Sequence, residues 1–126
     1  MPTDSVTLVT PEQLREAAGQ TAGMQRLEAV AWPGVWSGIA RTAPGSRSGW
    51  HHHGRWDTIA YVLSGAVRLE LGGEHDVVVA EPGDFLKIPA GVVHRESNPT
   101  DVEQALVIIR TGDGPIVVAV DDPSPT

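Results

Sequence analysis

Short apolar runs and alternating segments, separated by glycine and proline, extend along most of the chain. Every position from Ile59 to Leu63 is apolar, whereas Val67, Leu69 and Leu71 alternate with polar or small residues. A fully apolar run is typical of a strand covered on both faces, and alternation is typical of a strand with one face in water. The pattern predicts roughly nine or ten short strands and an all-β fold, either a sandwich or a barrel.

The other predicted strands are bounded by turn-forming residues. They are Met24 to Val30 at a sheet edge, Val35 to Thr42, Val77 to Ala80, Phe85 to Ile88, Val92 to Ser97, Glu103 to Arg110 and Pro115 to Val120. The 14 glycines and 10 prolines fall largely between these runs, where they favour turns. Gly72-Gly73 suits a hairpin, and Glu81-Pro82-Gly83-Asp84 suits a type II turn because glycine tolerates its positive φ.

One short helix is predicted near the amino terminus. Thr10 is a typical N-cap, Pro11 suits the first helical position, and Gln13 completes a capping box. We expect this helix to run to about Gly19 and to lie at the periphery of the fold.

Length and composition narrow the class of protein. A chain of 126 residues with a net charge of -7 and only nine lysines and arginines predicts a single domain, residues 1–126, that does not bind nucleic acid. The absence of cysteine excludes disulfides and thiolate metal sites. No membrane-spanning run or secretory signal is recognised, so we expect a cytoplasmic protein with no membrane partner. Residues 121–126 are expected to form a loose acidic tail.

Three adjacent histidines suggest a metal site. If Trp50 to His53 is extended, His51 and His53 share one face, while His52 lies on the other face with Trp50. Two imidazoles on one face are suitable ligands for a transition metal once a third group joins them, and His94 is the candidate. The alternative is a solvated histidine cluster; His75 beside the predicted hairpin is expected to be solvated.

The context of His94 supports the metal interpretation. Residues 83–98 read G-D-F-L-K-I-P-A-G-V-V-H-R-E-S-N, which resembles the second cupin motif, G-x5-P-x-G-x2-H-x3-N. The match includes every fixed position, namely Gly83, Pro89, Gly91, His94 and Asn98.

Residues 45–65 resemble the first cupin motif less completely. Gly45, His51, His53 and Gly65 match, but the glutamate ligand of the motif has no counterpart. Thr58 stands at its position, and Asp57 lies one residue earlier. Thr58 is a poor ligand because a neutral hydroxyl brings no charge to a metal. Asp57 could serve as a fourth ligand if a bulge turned it inward, or it could hydrogen-bond a ligand imidazole.

The resemblance to cupins implies a double-stranded β-helix, or jelly-roll, barrel that is often dimeric. It also implies a divalent transition metal such as Fe, Zn, Ni or Mn, held by His51, His53 and His94. The alternative for these histidines is a pocket that holds an anion or nothing. The strand Ile59 to Leu63 is apolar on both faces, and a single small barrel covers only one of them. We therefore expect a homodimer that covers the other face.

Aromatic residues and arginines supply candidates for a ligand pocket. Trp36, Trp56 and Tyr61 are pocket candidates, because barrel mouths are common ligand sites. Packing in the core or at a dimer interface is the alternative interpretation. Arg41, Arg55 and Arg95 could meet an anionic substrate, although arginine is usually solvated.

Two functions remain open at the level of sequence. The first is a metalloenzyme that acts on a small organic molecule by dioxygenase- or isomerase-type chemistry. An anionic substrate is favoured because a site without a carboxylate keeps the full charge of its ion. The second is a non-catalytic barrel that binds a small molecule or a metal and has lost the carboxylate ligand.

Overall fold

A computed structural model describes residues 6–17, 20–21, 23–72 and 76–122. Within these ranges, eleven strands form two antiparallel sheets, so the predicted all-β jelly roll is confirmed. The strands are β1 (Arg15–Glu16), β2 (Gln25–Trp32), β3 (Val35–Thr42), β4 (His51–His52), β5 (Asp57–Ser64), β6 (Val67–Leu71), β7 (Val77–Ala80), β8 (Phe85–Ile88), β9 (His94–Ser97), β10 (Gln104–Thr111) and β11 (Val118–Ala119). The larger sheet has the order β1-β2-β3-β10-β5-β8, and the smaller has β11-β4-β9-β6-β7. In the described part of the chain, no helix is long and apolar enough to span a bilayer.

The predicted amino-terminal helix is only a 3-10 turn, Pro11–Gln13. Its start is as expected, since the Thr10 N–H donates to Oε1 of Gln13 at 2.8 Å. The predicted continuation is wrong, because Leu14 is already extended and β1 pairs with β2. The ladder bonds to β2 take the place of helical bonds, and β2 is therefore not an edge strand. Gly19 lies outside the described residues.

The hydrophobic core lies between the two sheets and consists of inward-facing side chains. Strand β10 is central in the larger sheet and pairs with β3 on one side and with β5 on the other. Inward positions on these strands are regularly buried. The buried core contains Ala17, Trp36, Ala40, Trp56, Ala60, Val62, Val67, Leu69, Ala80, Ile88, Leu106 and Ile108.

Strand β5 is buried on one face only, contrary to the expectation of two covered faces. Ala60 and Val62 point into the core, at 2% and 1% exposure, whereas Ile59 and Leu63 are 47% and 50% exposed. The helices that cover both faces of a parallel sheet are absent from the described chain. The outer face of β5 is thus an apolar surface in the single chain.

The turn at Glu81 to Asp84 forms as predicted. The Asp84 N–H donates to the Glu81 carbonyl at 2.9 Å, and Gly83 has a φ of 95°. Other predictions cannot be compared with the structure, because Gly73, His75 and residues 123–126 lie outside the described ranges.

Candidate metal centre

The pairing of β4 with β9 places His51 directly opposite His94. His53 follows His51 by two positions and is buried with it, as alternation requires. The ring centroids of His51 and His94 are 4.4 Å apart, and that of His53 is 5.0 Å from each. The three histidines predicted from the motifs therefore converge between the sheets.

Glu96 is the fourth member of this cluster, although it is not among the residues that the motifs predict. It follows His94 by two positions on β9, so both side chains point inward. Its Oε1 lies 3.1 Å from Nε2 of His94 and 3.9 Å from Nε2 of His51. One potential ligand atom from each of the four residues falls within 4.8 Å of the others. The same i, i+2 rule that pairs His51 with His53 would have found Glu96 in the sequence.

Backbone carbonyls fix the orientation of all three imidazoles. A carbonyl can only accept a hydrogen bond, so each Nδ1 must carry the proton and, in the neutral ring, Nε2 keeps its lone pair. For His51, His53 and His94 in turn, the accepting carbonyls belong to Gly49 at 3.0 Å, Ile116 at 2.7 Å and Val92 at 2.8 Å. Since the Nε2 atoms face the cluster, the tautomers are those that metal ligation needs.

The buried cluster has polar atoms that its own residues do not satisfy. Nε2 of His51, Nε2 of His53 and Oε2 of Glu96 have no hydrogen-bond partner among the described residues. These residues are 0%, 2% and 7% exposed, and unpaired polar atoms at such depth carry a desolvation cost. A divalent transition metal would satisfy them all, so the donor set fits such an ion.

Burial also sets the charge state of the cluster. It lowers the pKa of His51 to about 4 against the opposing effect of Glu96, and it lowers the pKa of His53 further, with help from Arg110. Burial by itself raises the pKa of Glu96, but the hydrogen bond and charge of His94 outweigh it and hold that pKa well below its usual range. At neutral pH the first two imidazoles are neutral and the carboxylate is ionised, as ligands must be.

Asp57 and Thr58, the sequence candidates for a fourth ligand, lie outside the four-residue cluster. Asp57 is exposed, and its Oδ1 accepts a hydrogen bond from the Ala90 N–H at 2.9 Å. Thr58 is buried, but its Oγ1 accepts from Nε of Arg110 at 3.1 Å. Because Glu96 supplies a carboxylate, the expectation of a cluster without one is wrong.

The aromatic pocket candidates are engaged in packing. Nε1 of Trp36 donates to Oε1 of Glu28, and Nε1 of Trp56 donates to the Gly114 carbonyl. Both indoles belong to the core. Tyr61 is half-buried on the outer face, and its ring contacts the tilted ring of Phe85, with centroids 4.7 Å apart. Trp50, which directly precedes β4, is covered by the Arg95 guanidinium, 4.5 Å from its ring centroid. His52 accepts a hydrogen bond from the Gly54 N–H.

Two antiparallel sheets around a buried cluster of three histidines and a glutamate define a small jelly-roll barrel with a metal-binding site. Residues 38–110 match the family model described as "Cupin domain". The chain belongs to the cupin family. No curated protein matched the sequence.

Solved structures share this fold. The chain is similar to the polyketide cyclase RemF from Streptomyces resistomycificus (17% identity, TM-score 0.74, covering 94% of this chain and 90% of that one). It is also similar to KdgF from Halomonas sp. (20% identity, TM-score 0.68, covering 86% and 96%). An oxalate oxidase in complex with the substrate analogue glycolate has 24% identity and a TM-score of 0.64, covering 82% of this chain and 57% of that one. At these identities the likeness shows a common fold.

Proposed function

We propose that this cupin is a metal-dependent enzyme acting on a small anionic organic molecule. His51, His53, His94 and Glu96 are the proposed ligands of a divalent transition metal such as Fe, Zn, Ni or Mn. The observation that carries the proposal is the buried convergence of three imidazole Nε2 atoms and one carboxylate, with every Nδ1 held by a carbonyl.

The roles of the chain's own residues follow from this geometry. A divalent ion bound there would supply Lewis-acid or redox chemistry to an adjacent substrate. The carbonyls of Gly49, Ile116 and Val92 hold the imidazoles in position, so little reorganisation is needed on binding. Because all four residues are buried, water is largely excluded from the cluster, and the electrostatic interactions inside it are strengthened.

Dioxygenase- or isomerase-type chemistry is the reaction class that we propose. Enzymes occur among the proteins that share this fold, including the oxalate oxidase and the polyketide cyclase. This supports catalysis in general.

A non-catalytic metal- or ligand-binding barrel is the second candidate. One observation favours it, because the interior cavity next to Glu96 has a volume of only about 10 Å³, about what the centre of one water molecule needs. A substrate would have to displace side chains to enter. In the sequence, the missing carboxylate ligand of the first motif supports a non-catalytic barrel. In the structure this support is lost, because Glu96 supplies a carboxylate to the cluster.

Metal analysis followed by turnover assays tests the proposal. Untagged protein from metal-replete culture should carry about one equivalent of a transition metal. The metal-loaded protein is then incubated with a panel of small carboxylates, and dioxygen uptake and product formation are followed by electrode and mass spectrometry. Conversion by the wild type but not by His94→Ala supports an enzyme. Metal without conversion supports the binding barrel, and protein without metal overturns both metal-based functions.

We also propose a homodimer formed through the outer face of the larger sheet. Ile59, Leu63, Phe85 and Ile109 are 47%, 50%, 71% and 42% exposed on that face. Exposed apolar patches of this kind commonly mark protein interfaces. The acidic, cysteine-free composition supports a cytoplasmic location and a small molecule, rather than nucleic acid or membrane, as the partner.

A further inference from the structure

Two arginines lie inside the barrel next to the metal cluster. Arg26 on β2 and Arg110 on β10 are 1% and 3% exposed. Both line the interior cavity, and Glu96 lines it as well. Glu96 thus belongs both to the cluster and to the cavity wall, so it connects the proposed metal site with the space that the two arginines line.

The hydrogen bonds of these guanidinium groups are incomplete. Arg26 donates from Nη1 to Oγ1 of Thr21 at 2.6 Å and from Nη2 to Sδ of Met24 at 4.0 Å. Arg110 donates from Nε to Oγ1 of Thr58 at 3.1 Å. Nε of Arg26 and Nη1 of Arg110 have no partner in the described part of the chain. Two buried cations therefore offer unused donors at the cavity.

Their charge is also incompletely balanced. No ion pair to either arginine occurs among the described residues. Burial lowers the pKa of both arginines, and the charge of Glu96 opposes this effect only in part. Arg110 packs over the ring of Trp36 at 5.3 Å, which is a weak substitute for a carboxylate. If Glu96 ligates a divalent ion, one negative charge faces two guanidinium groups and the ion. Such an excess of buried positive charge is costly unless an anion joins it.

Thr58 helps to explain why Arg110 has no anionic partner among the residues that the structure describes. It stands opposite Arg110 in the β5–β10 register, at the motif position where a glutamate is expected. A neutral hydroxyl therefore occupies the place beside Arg110 that a carboxylate of the chain could have filled. Meanwhile the sequence candidates for anion contact point outward: Arg41 towards Glu103, Arg55 towards Asp113 and Arg95 towards Glu70.

We infer that Arg26 and Arg110 form a carboxylate-binding subsite that holds the anionic group of a small substrate beside the metal cluster. Each arginine keeps one buried donor that is unpaired among the described residues, and hydrogen bonds from a guanidinium group to a carboxylate are stronger than neutral ones because both groups are charged. The role as a substrate subsite rests on the proposed function, whereas anion binding itself can be measured without it. The small cavity limits the first probes to the smallest carboxylates.

An apolar groove provides a route to this subsite. It has a volume of about 280 Å³ and lies at the open strand edges β7 and β8. Leu69, Leu86 and Ile88 line both the groove and the cavity. These three side chains separate the two spaces, so a carboxylate entering from the groove must move past them.

Acetate and acetamide, which match in size and differ in charge, are suitable probes. Binding is followed by calorimetry, by Trp fluorescence and by the shift in melting temperature, in metal-loaded and in chelator-treated protein. Acetate should bind wild-type protein about 10- to 100-fold more tightly than acetamide, as a charge-assisted hydrogen bond predicts. Arg26→Met and Arg110→Met should lose that preference, and Arg41→Met, which removes an outward-facing arginine, should keep it.

Thr58→Asp is the decisive variant. Aspartate is close to threonine in size and would place a carboxylate beside Nε of Arg110. We expect it to fold, to melt at or above the wild-type temperature at neutral pH, and to lose acetate binding. Equal binding of acetate and acetamide by wild type, or unchanged acetate binding in Arg110→Met or Thr58→Asp, overturns the subsite. Acetate binding that depends on Arg110 in protein that never holds metal would retain the anion site and reject the proposed metal function.

Discussion

His94 and Glu96, two positions apart on β9, place Nε2 and Oε1 3.1 Å from each other inside the barrel. Nδ1 of the same imidazole faces the Val92 carbonyl at 2.8 Å. Both ring nitrogens therefore face oxygen atoms. A neutral imidazole has a single N–H, so it can donate a hydrogen bond to only one of the two oxygens. Either a protonated ring or a cation held by His94 and Glu96 would resolve this arrangement, and the cation is the interpretation that would also satisfy His51 and His53.

Metal content should depend on Glu96 as strongly as on the histidines. His51→Ala and His94→Ala should abolish the metal found in wild type. Glu96→Gln, which keeps the shape and removes the charge, should weaken affinity by at least about 10-fold, the effect seen even for outer partners of ligands. Inductively coupled plasma mass spectrometry and competition with a chelator measure both effects. His52→Ala is the matched control, since its ring bonds to Gly54 outside the cluster. A fully loaded Glu96→Gln variant with wild-type affinity would contradict the role of Glu96.

The stability of chelator-treated protein should fall on mild acidification. Well above pH 6.5, His51 and His53 are neutral in both the folded and the unfolded chain and contribute no pH dependence. Between pH 6.5 and about 4, these histidines are protonated in the unfolded chain but remain largely neutral in the folded chain, because burial lowers their folded pKa values. The free energy of unfolding should therefore decrease by up to about 1.4 kcal/mol per pH unit for each histidine. Urea denaturation at a series of pH values measures the slope. His51→Gln should reduce this slope by the contribution of one histidine, up to about 1.4 kcal/mol per pH unit. An unchanged slope would show that His51 is not buried as a neutral ring.

Two glycines of the first motif should respond differently to alanine. Gly45 and Gly65 have φ values of 72° and 67°, so alanine is strained at both. A Cβ at Gly45 meets nothing within 4 Å, whereas at Gly65 it would lie 2.9 Å from Cα of Gln104. We expect Gly45→Ala to cost about 1–2 kcal/mol and Gly65→Ala to cost about 1–3 kcal/mol more because of overpacking. Chemical denaturation of both variants measures the loss of stability in each. Equal losses would mean that the backbone at Gln104 moves without cost.

A charge on the outer face of β5 should dissociate the proposed dimer. Ile59 lies between Ile109 and Lys87 in the larger sheet. In Ile59→Glu a carboxylate would be buried at the interface, so the dimer dissociation constant should rise at least about tenfold. Analytical ultracentrifugation of variant and wild type measures it. Val79→Glu, on the smaller sheet and 55% exposed, is the control and should remain dimeric. A monomeric wild type at micromolar concentration would refute the interface.

The local pattern of apolar, polar and turn-forming residues was sufficient to predict much of the fold. Strands β3, β7 and β8 have the bounds that alternation and turn residues predict, and the turn at Gly83 forms as its Pro-Gly sequence requires. The helix prediction failed beyond Gln13, because capping residues describe only the first turn. Strand pairing with β2 then determined the conformation of Arg15 and Glu16.

The i, i+2 spacing of His51 and His53 determined by itself that these two rings share a face, since neighbouring side chains on a strand alternate. Only the tertiary structure decided that β4 pairs with β9 in the register that brings His94 opposite His51. It also decided that Glu96 joins them and that Arg26 and Arg110 are buried beside them, because register and burial depend on contacts between strands far apart in sequence.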